Sequence, residues 1–249
     1  MTEKTADNYA PPLGEEWSFN AEVTNTFDSM LLNSIPSYAE MRKFTDMFIR
    51  RHLNHLGAPR IIDLGASRGE VLHRFIKPSV PQDLHQNAEF TLVEISEPML
   101  AILRERYGSM GNVTIAQQDL RYNRDFLLAA QPTLVTCILT TIFTPLSYRQ
   151  AILKSVFESL RPHGGTFIWV EKILGDGADE DELLTKEYYQ FKADNGYTQE
   201  AILRKKLSLE FAQVPVTSEW NEQMLRKAGF STIQKYWQSL NFAGWICKC

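Results

Sequence analysis

Cysteine is scarce in this chain. Cys137, Cys247 and Cys249 are three residues in 249, too few for a disulfide framework, and the terminal Cys-x-Cys has no second Cys or His pair at metal-ligand spacing. No metal site is expected. Nor does any apolar run approach the roughly 18 residues that a membrane helix needs, and Met1 to Pro12 is polar, without the apolar centre of a signal peptide. These absences point to a cytoplasmic protein with no membrane partner. Charge is nearly balanced, 26 Lys plus Arg against 30 Asp plus Glu for a formal −4. With no long basic run, direct nucleic-acid binding through phosphate neutralisation is not expected. Also missing are a Gly-x-Ser-x-Gly elbow, a His-Glu-x-x-His pair and an Asn-Pro-Pro-Tyr segment, while the five histidines at 52, 55, 73, 85 and 163 are scattered. What the chain does have is 44% hydrophobic residues, enough for one large core.

Residues 1–16 are polar and read as a flexible arm before a single domain over 17–249. Within that domain, 17–58 forms a helical cap: Phe27, Met30 and Leu31, then Met41, Phe44, Met47 and Phe48, recur at helical spacing, with Pro36 dividing them. From Arg60 the pattern changes to short apolar runs, each followed by a helical one. Strands are predicted at Ile61–Leu64, Phe90–Ile95, Val113–Ala116, Leu134–Leu139 and Thr166–Val170, and helices at Gly69–Ile76, Met99–Tyr107 and Tyr148–Leu160. A second helical insertion, 175–228, carries a long helix over Asp181–Phe211 broken near Asn195-Gly196, and another over Ser218–Ala228. Thr232–Trp237 and Phe242–Cys247 close the chain as an antiparallel pair. The expected fold is therefore α/β, a doubly wound Rossmann-like sheet of seven strands, mostly parallel, with an antiparallel C-terminal strand pair.

The first strand ends in Asp63-Leu64-Gly65-Ala66-Ser67-Arg68-Gly69. In a doubly wound sheet, ligands bind at the carboxyl ends of the strands. Gly65 and Gly69 let backbone come close to a ligand, and the following helix is expected to present free N–H groups. The loop is not the Gly-x-Gly-x-x-Gly of a dinucleotide site, and Asp63 before it suits a cationic or polar ligand better than a phosphate. Glu94 ends the second strand, placed to accept hydrogen bonds from both ribose hydroxyls, and Asp119 ends the third. Three acids in order around a glycine turn suit an adenosine-bearing ligand with a positive centre, S-adenosyl-L-methionine.

Beyond the turn, Trp17-Ser18-Phe19, Ser34-Ile35-Pro36-Ser37-Tyr38, Glu171-Lys172, Asn195-Gly196-Tyr197, Lys227-Ala228-Gly229-Phe230 and Asn241-Phe242 resemble the class I methyltransferases, most closely the carboxy-S-adenosylmethionine synthase family that acts in modifying the wobble uridine of tRNA. The resemblance spans nearly the whole chain. It implies that Tyr38, Gly65, Ala66, Ser67, Glu94, Ile95, Asp119 and Leu120 line the cofactor site, with Tyr38 closing over it from the cap. It also implies a homodimer that contacts through the helical region after Glu171. Three departures are visible. Glu94 stands where the family usually has Asp, and Ile138 where it places an Asn. Lys206, within Arg204-Lys205-Lys206, aligns with the Arg that grips the extra carboxylate of the family's product, a role that a register slip would give to Arg204. Lysine neutralises a carboxylate but lacks the bidentate fork.

Methyl transfer from a sulfonium is an in-line displacement that needs positioning more than a nucleophile, and no catalytic residue is assigned. Lys172 and the run 204–206 are available to an anionic acceptor. Tyr188, Tyr189, Tyr197, Trp237 and Trp245 are expected in the core before an aromatic wall, and Cys137 in packing. The leading expectation is an S-adenosylmethionine-dependent methyltransferase acting on a small or anionic acceptor. Second is prephenate-dependent conversion of the cofactor to its carboxylated derivative, as the resemblance implies. A nicotinamide oxidoreductase and a non-catalytic partner of a transferase rank below.

Overall fold

The computed structural model describes residues 15, 17–80, 85, 87–210 and 212–249. The arm expected over 1–16 lies outside the described residues except for Glu15, which is exposed.

The chain enters through two helices, α1 (Ala21–Ser34) and α2 (Tyr38–His55), parted at Pro36. Asn20 caps α1, its side-chain oxygen accepting from Val23 N at 3.0 Å, which satisfies one of the free amides of the first turn. The sheet is built from β1 (Arg60–Leu64), β2 (Glu89–Glu94), β3 (Val113–Gln117), β4 (Leu134–Ile138), β5 (Thr166–Leu174), the two-residue β6 (Val216–Thr217), β7 (Thr232–Ser239) and β8 (Phe242–Lys248). Its order is β3-β2-β1-β4-β5-β8-β7, with β6 attached beside β5. The first five are parallel neighbours, and β8 runs antiparallel between β5 and β7. This is the expected sheet, with the reversal of strand order between β1 and β4 leaving a crevice over their tips.

Helices cover both faces. On one, α5 (Asp125–Ala130), α6 (Leu146–Leu160) and α9 (Ser218–Ala228) supply Leu127, Ile152, Leu153, Val156, Leu160, Leu225 and Ala228 to a core against Ile62, Leu64, Val135, Trp169 and Trp245. On the other, α2, α3 (His73–Ile76) and α4 (Glu97–Tyr107) bring Ile49, Leu53, Phe75, Leu100, Leu103 and Tyr107 against Ile61, Phe90, Leu92 and Ile168. Strands buried on both faces read as continuous apolar runs, which is why they are visible in the sequence. Trp237 and Trp245 are buried as expected, and Cys137 packs in the first of these cores.

Several elements differ from expectation. The helix predicted over 69–76 is the four residues of α3, because Gly65, Ser67 and Gly69 all take positive φ and residues up to Leu72 form turns. Strand β5 runs four residues past Val170, since β8 pairs with Glu171 and Lys172 and β6 with Ile173 and Leu174. Neither α5 nor β6 is anticipated by the sequence pattern. The long helix divides as expected, into α7 (Ala178–Asp194) and α8 (Gln199–Leu209), with Gly196 at φ +89 between them. No helix among the described residues is long and apolar enough to cross a membrane.

Candidate active site

Above the tips of β1 to β5 lies a cavity of about 320 Å³, closed on the far side by α1, the start of α2, and α8. Its floor is the loop after β1. Gly65 N and Ala66 N each donate to Val93 O at 2.9 Å, and Gly69 N donates to Ala66 O at 2.7 Å. Ser67 N donates to Glu94 Oε2 at 2.8 Å, while Ile95 N and Ser96 N donate to Glu94 Oε1 at 2.8 and 3.0 Å. Glu94 thus clamps the glycine loop to the turn after β2. A carboxylate has about four acceptor positions; three are taken by backbone, which leaves one where the sequence reading expects two.

The two loop glycines work differently from expectation. Gly65 lines the cavity, yet the space a Cβ would occupy there is filled by the Thr140 side chain, and its φ of +73 favours glycine. Gly69 stands away from the cavity; a Cβ on it would sit 2.6 Å from Tyr107 Cε2. Close approach is the reason for both, but side chains make it. The loop does not open a helix N-terminus towards the ligand either, since α3 begins only at His73.

Asp63 is the larger correction. Expected at the ligand, it is buried beneath the loop and does not line the cavity. It lies on β1 opposite Thr136 of β4, whose Oγ1 donates to Asp63 Oδ1 at 2.7 Å, while Oδ2 has no hydrogen-bond partner. Burial raises its pKa to about 6; the Thr136 hydrogen bond and the Arg42 charge oppose the shift and Glu94 adds to it. A second hidden carboxyl, Glu171 on β5, accepts from Thr141 Oγ1 at 2.6 Å and from Thr141 N and Trp169 Nε1 at 3.0 Å, and burial raises its pKa to about 7.

Asp119 does line the cavity, with Ile95, Leu120 and Ile138. Its carboxylate is gripped by Arg121, with Nη2 donating to Oδ2 at 2.6 Å and Nε to Oδ1 at 2.9 Å, and these bonds hold its pKa below the usual carboxylate range. The cap contributes Tyr38 at the start of α2 together with Trp17, Phe19, Phe27 and Arg42, of which only Tyr38 is expected at the cofactor site. Trp17 N donates to Ser208 O at 3.1 Å, tying the cap to α8.

The lining also includes the cations Lys172 and Lys205. Of the run 204–206, Lys205 alone faces the cavity. It is 5% exposed, and its Nζ has no hydrogen-bond acceptor. Burial, with Lys192 nearby, lowers its pKa to about 7. Lys206 is exposed, with Nζ 6.0 Å from the Tyr189 ring, and Arg204 approaches Glu200 of its own helix at 3.8 Å. Successive residues on a helix are about 100° apart, so an alignment off by one residue exchanges a buried side chain for a solvent-facing one. Lys172, Tyr188 and Phe242 complete this side, so Tyr188 is both packing residue and cavity wall.

An apolar cavity beside a glycine loop, lined by carboxylates and by the ammonium groups of Lys172 and Lys205, suits a nucleoside that carries a sulfonium, an amino group and a carboxylate. The fold and its strand-tip cavity define an S-adenosyl-L-methionine-dependent transferase. Residues 61–164 match the family described as "Methyltransferase domain". The chain is 30% identical over 244 residues to the carboxy-S-adenosyl-L-methionine synthase of Staphylococcus epidermidis, covering 96% of this chain and 98% of that one. It is 32% identical over 240 residues to the protein of the same name from Trichodesmium erythraeum, covering 94% and 89%. Among solved structures it resembles an O-methyltransferase family protein from Burkholderia thailandensis (TM-score 0.57, 12% identity, 92% of this chain and 60% of that one). It also resembles human N-acetylserotonin methyltransferase in complex with S-adenosyl-L-methionine (0.54, 13%, 92% and 56%). At such identities the last two speak for the fold alone. The chain belongs to the carboxy-S-adenosyl-L-methionine synthase family of the class I S-adenosyl-L-methionine-dependent methyltransferases.

Proposed function

We propose that this chain is itself a carboxy-S-adenosyl-L-methionine synthase, holding S-adenosyl-L-methionine over the tips of β1, β2 and β3 and carboxylating its methyl group. This displaces transfer of the methyl group to a separate acceptor, the first expectation from sequence. The observation that carries the proposal is Lys205, an ammonium buried in the cavity wall without an acceptor. Burying an unpaired cation costs several kcal/mol; with Lys172 also lining the cavity for the methionine carboxylate, an added carboxylate on the nucleoside answers the charge of Lys205. Near-full-length similarity to synthases of this name supports the same reading.

In this proposal the backbone of Gly65, Ala66 and Ser67 forms the floor. Glu94 offers its remaining acceptor position to a ribose hydroxyl, Ile95 and Leu120 flank the base, and Asp119 lies at its edge. Tyr38 and Tyr188 exclude water. Ile138 supplies an apolar wall where an Asn side chain would donate a hydrogen bond, leaving the charge of Lys205 more of the work of orientation. S-adenosyl-L-methionine supplies a methyl carbon activated by its positive sulfur. Asp63 and Gly69 hold the loop from behind and touch no ligand. Residues 17–249 are taken as one domain acting as a homodimer through 175–228, where Leu183, Leu203 and Leu207 are exposed.

The test is mass spectrometry of the nucleoside bound to purified protein, followed by incubation with S-adenosyl-L-methionine and prephenate. Carboxylated nucleoside in the pocket and accumulating in solution is expected. Unmodified donor, with S-adenosyl-L-homocysteine formed only when an anionic acceptor is added, would return the function to methyl transfer.

A further inference from the structure

Three lysines, two lining the cavity and one behind it, do not stand separately. Lys172 Nζ lies 5.1 Å from the Tyr188 ring centroid, and Lys192 Nζ lies 5.5 Å from Tyr188 and 5.1 Å from Tyr197. Lys205 Nζ then lies 5.6 Å from Tyr197 and 5.1 Å from Trp17. Cations and aromatic rings therefore alternate from β5 through α7 to α8 and the cap. Lys172, Tyr188, Lys205 and Trp17 line the cavity, whereas Lys192, 3% exposed, stands behind it. Aromatic faces partly replace water around ammonium groups, but they neutralise no charge.

We infer that Lys192 is a positioning residue that acts on Lys205 through the shared Tyr197 ring and its own charge, so that the anion subsite takes up a proton as it takes up a carboxylate. It rests on the proposed function only for the identity of that carboxylate. A permanently charged guanidinium binds an anion without a change of protonation; Lys205, flanked by a second buried cation, holds its proton firmly only once a negative group arrives. Of the titratable groups, Tyr197 before α8 stacks on Lys205 and Lys192 on α7 acts on it by charge, while Tyr188 and Lys172 stand one step further along the chain of rings and cations. No acid acts on Lys205 among the causes of its shift; Asp181 acts on Lys172, and of the acids lining the cavity Asp28 pairs with Arg68 at 3.1 Å and Glu70 pairs with Arg106. Burial is the first cause of the lowered Lys205 pKa and Lys192 the second, and Lys192 is in turn lowered to about 8 by burial and by Lys172.

Two measurements test this. The first needs no ligand: 13C-lysine NMR follows the Lys205 side chain against pH, assigned by the signal lost in Lys205→Arg. A midpoint near neutrality is expected in the unmutated chain, rising by about half to one pH unit in Lys192→Met and staying in place in Lys192→Arg, which keeps the charge. Should Lys192→Met not fold, Lys192→Gln serves. A midpoint that Lys192→Met or Lys192→Gln leaves unmoved overturns the inference. The second is calorimetry with carboxy-S-adenosyl-L-methionine at pH 8 in two buffers of different ionisation enthalpy. Proton uptake on binding is expected, reduced in both Lys192→Met and Lys205→Arg; binding without proton uptake in the unmutated chain overturns it. If the carboxylated nucleoside binds no better than S-adenosyl-L-methionine at pH 6, the proposed function fails, while the ligand-free titration still decides the role of Lys192.

Discussion

The two ends of the cavity are finished to different degrees. At the glycine loop, backbone amides and carboxylate oxygens are already paired: Glu94 accepts three N–H groups, Asp119 is held by Arg121, and Gly65 N and Ala66 N share Val93 O. At the α7–α8 wall, two lysines are buried and Lys205 lacks an acceptor. One end is preorganised and loses little on binding; the other is left electrically incomplete for a ligand to complete. On the proposed function, the first end recognises what substrate and product share, and the second what distinguishes them.

The contrast can be broken hardest at the floor. Gly65→Ala places a methyl group against the Thr140 side chain at a φ of +73, and thermal denaturation should show a loss of about 3 kcal/mol; a loss below about 0.5 kcal/mol would mean the loop is not rigid. Next, Glu94→Ala leaves three backbone donors unsatisfied. Calorimetry should show S-adenosyl-L-methionine binding weakened well over tenfold, about 1.4 kcal/mol or more, and unchanged affinity would mean the acids do not hold the nucleoside.

Asp63→Asn sharpens the comparison by separating support from contact. The folded-state pKa of Asp63, about 6, lies above its ordinary 3.8. Its stabilising contribution is therefore complete below pH 3.8 and fades as pH rises through 6. The Asn variant, which keeps the acceptor for Thr136, should gain relative to the unmutated chain by about 2 kcal/mol between pH 4 and 7 in urea titrations, and a pH-independent difference would refute the assignment. At the other end, Lys205→Met should weaken carboxylated nucleoside at pH 6 by about tenfold or more while changing S-adenosyl-L-methionine binding less. Lys206→Gln should leave both within about twofold, an exposed side chain contributing under about 0.5 kcal/mol. The opposite ranking would restore the alignment that favours Lys206.

Most of the sheet is legible in the sequence because parallel strands buried on both faces leave apolar runs, as at Ile61-Ile62 and Leu134-Val135, and because Pro36 and Gly196 mark breaks through backbone chemistry alone. What escapes is set by partners. Val216–Thr217 is a strand only because β5 lies beside it, and residues 69–72 leave the helix because the loop turns three times through positive φ. In the site, the glycine loop and the acids of β2 and β3 are readable from order and spacing. Asp63 is misread because alternation along β1 carries it to the face of Ile61 beside Thr136 rather than to the tip. Lys205 is obscured by one residue of helical phase. Lys192 gives no local signal, since its neighbours Tyr188 and Tyr197 flank it in sequence without announcing that they stack around it in space.

The position of β8 has a consequence for how the chain is made. It follows every other element in sequence, yet it lies between β5 and β7 and donates to both. Synthesis runs from the N-terminus, so while residues 242–248 are still within the ribosome, one flank of β5 is an open edge and β7 has nothing to pair with. An open apolar edge invites pairing with other chains. Until residues 242–248 have emerged and paired, the open flank of β5 is exposed to a foreign strand, so the sheet is safest once β8 has closed it.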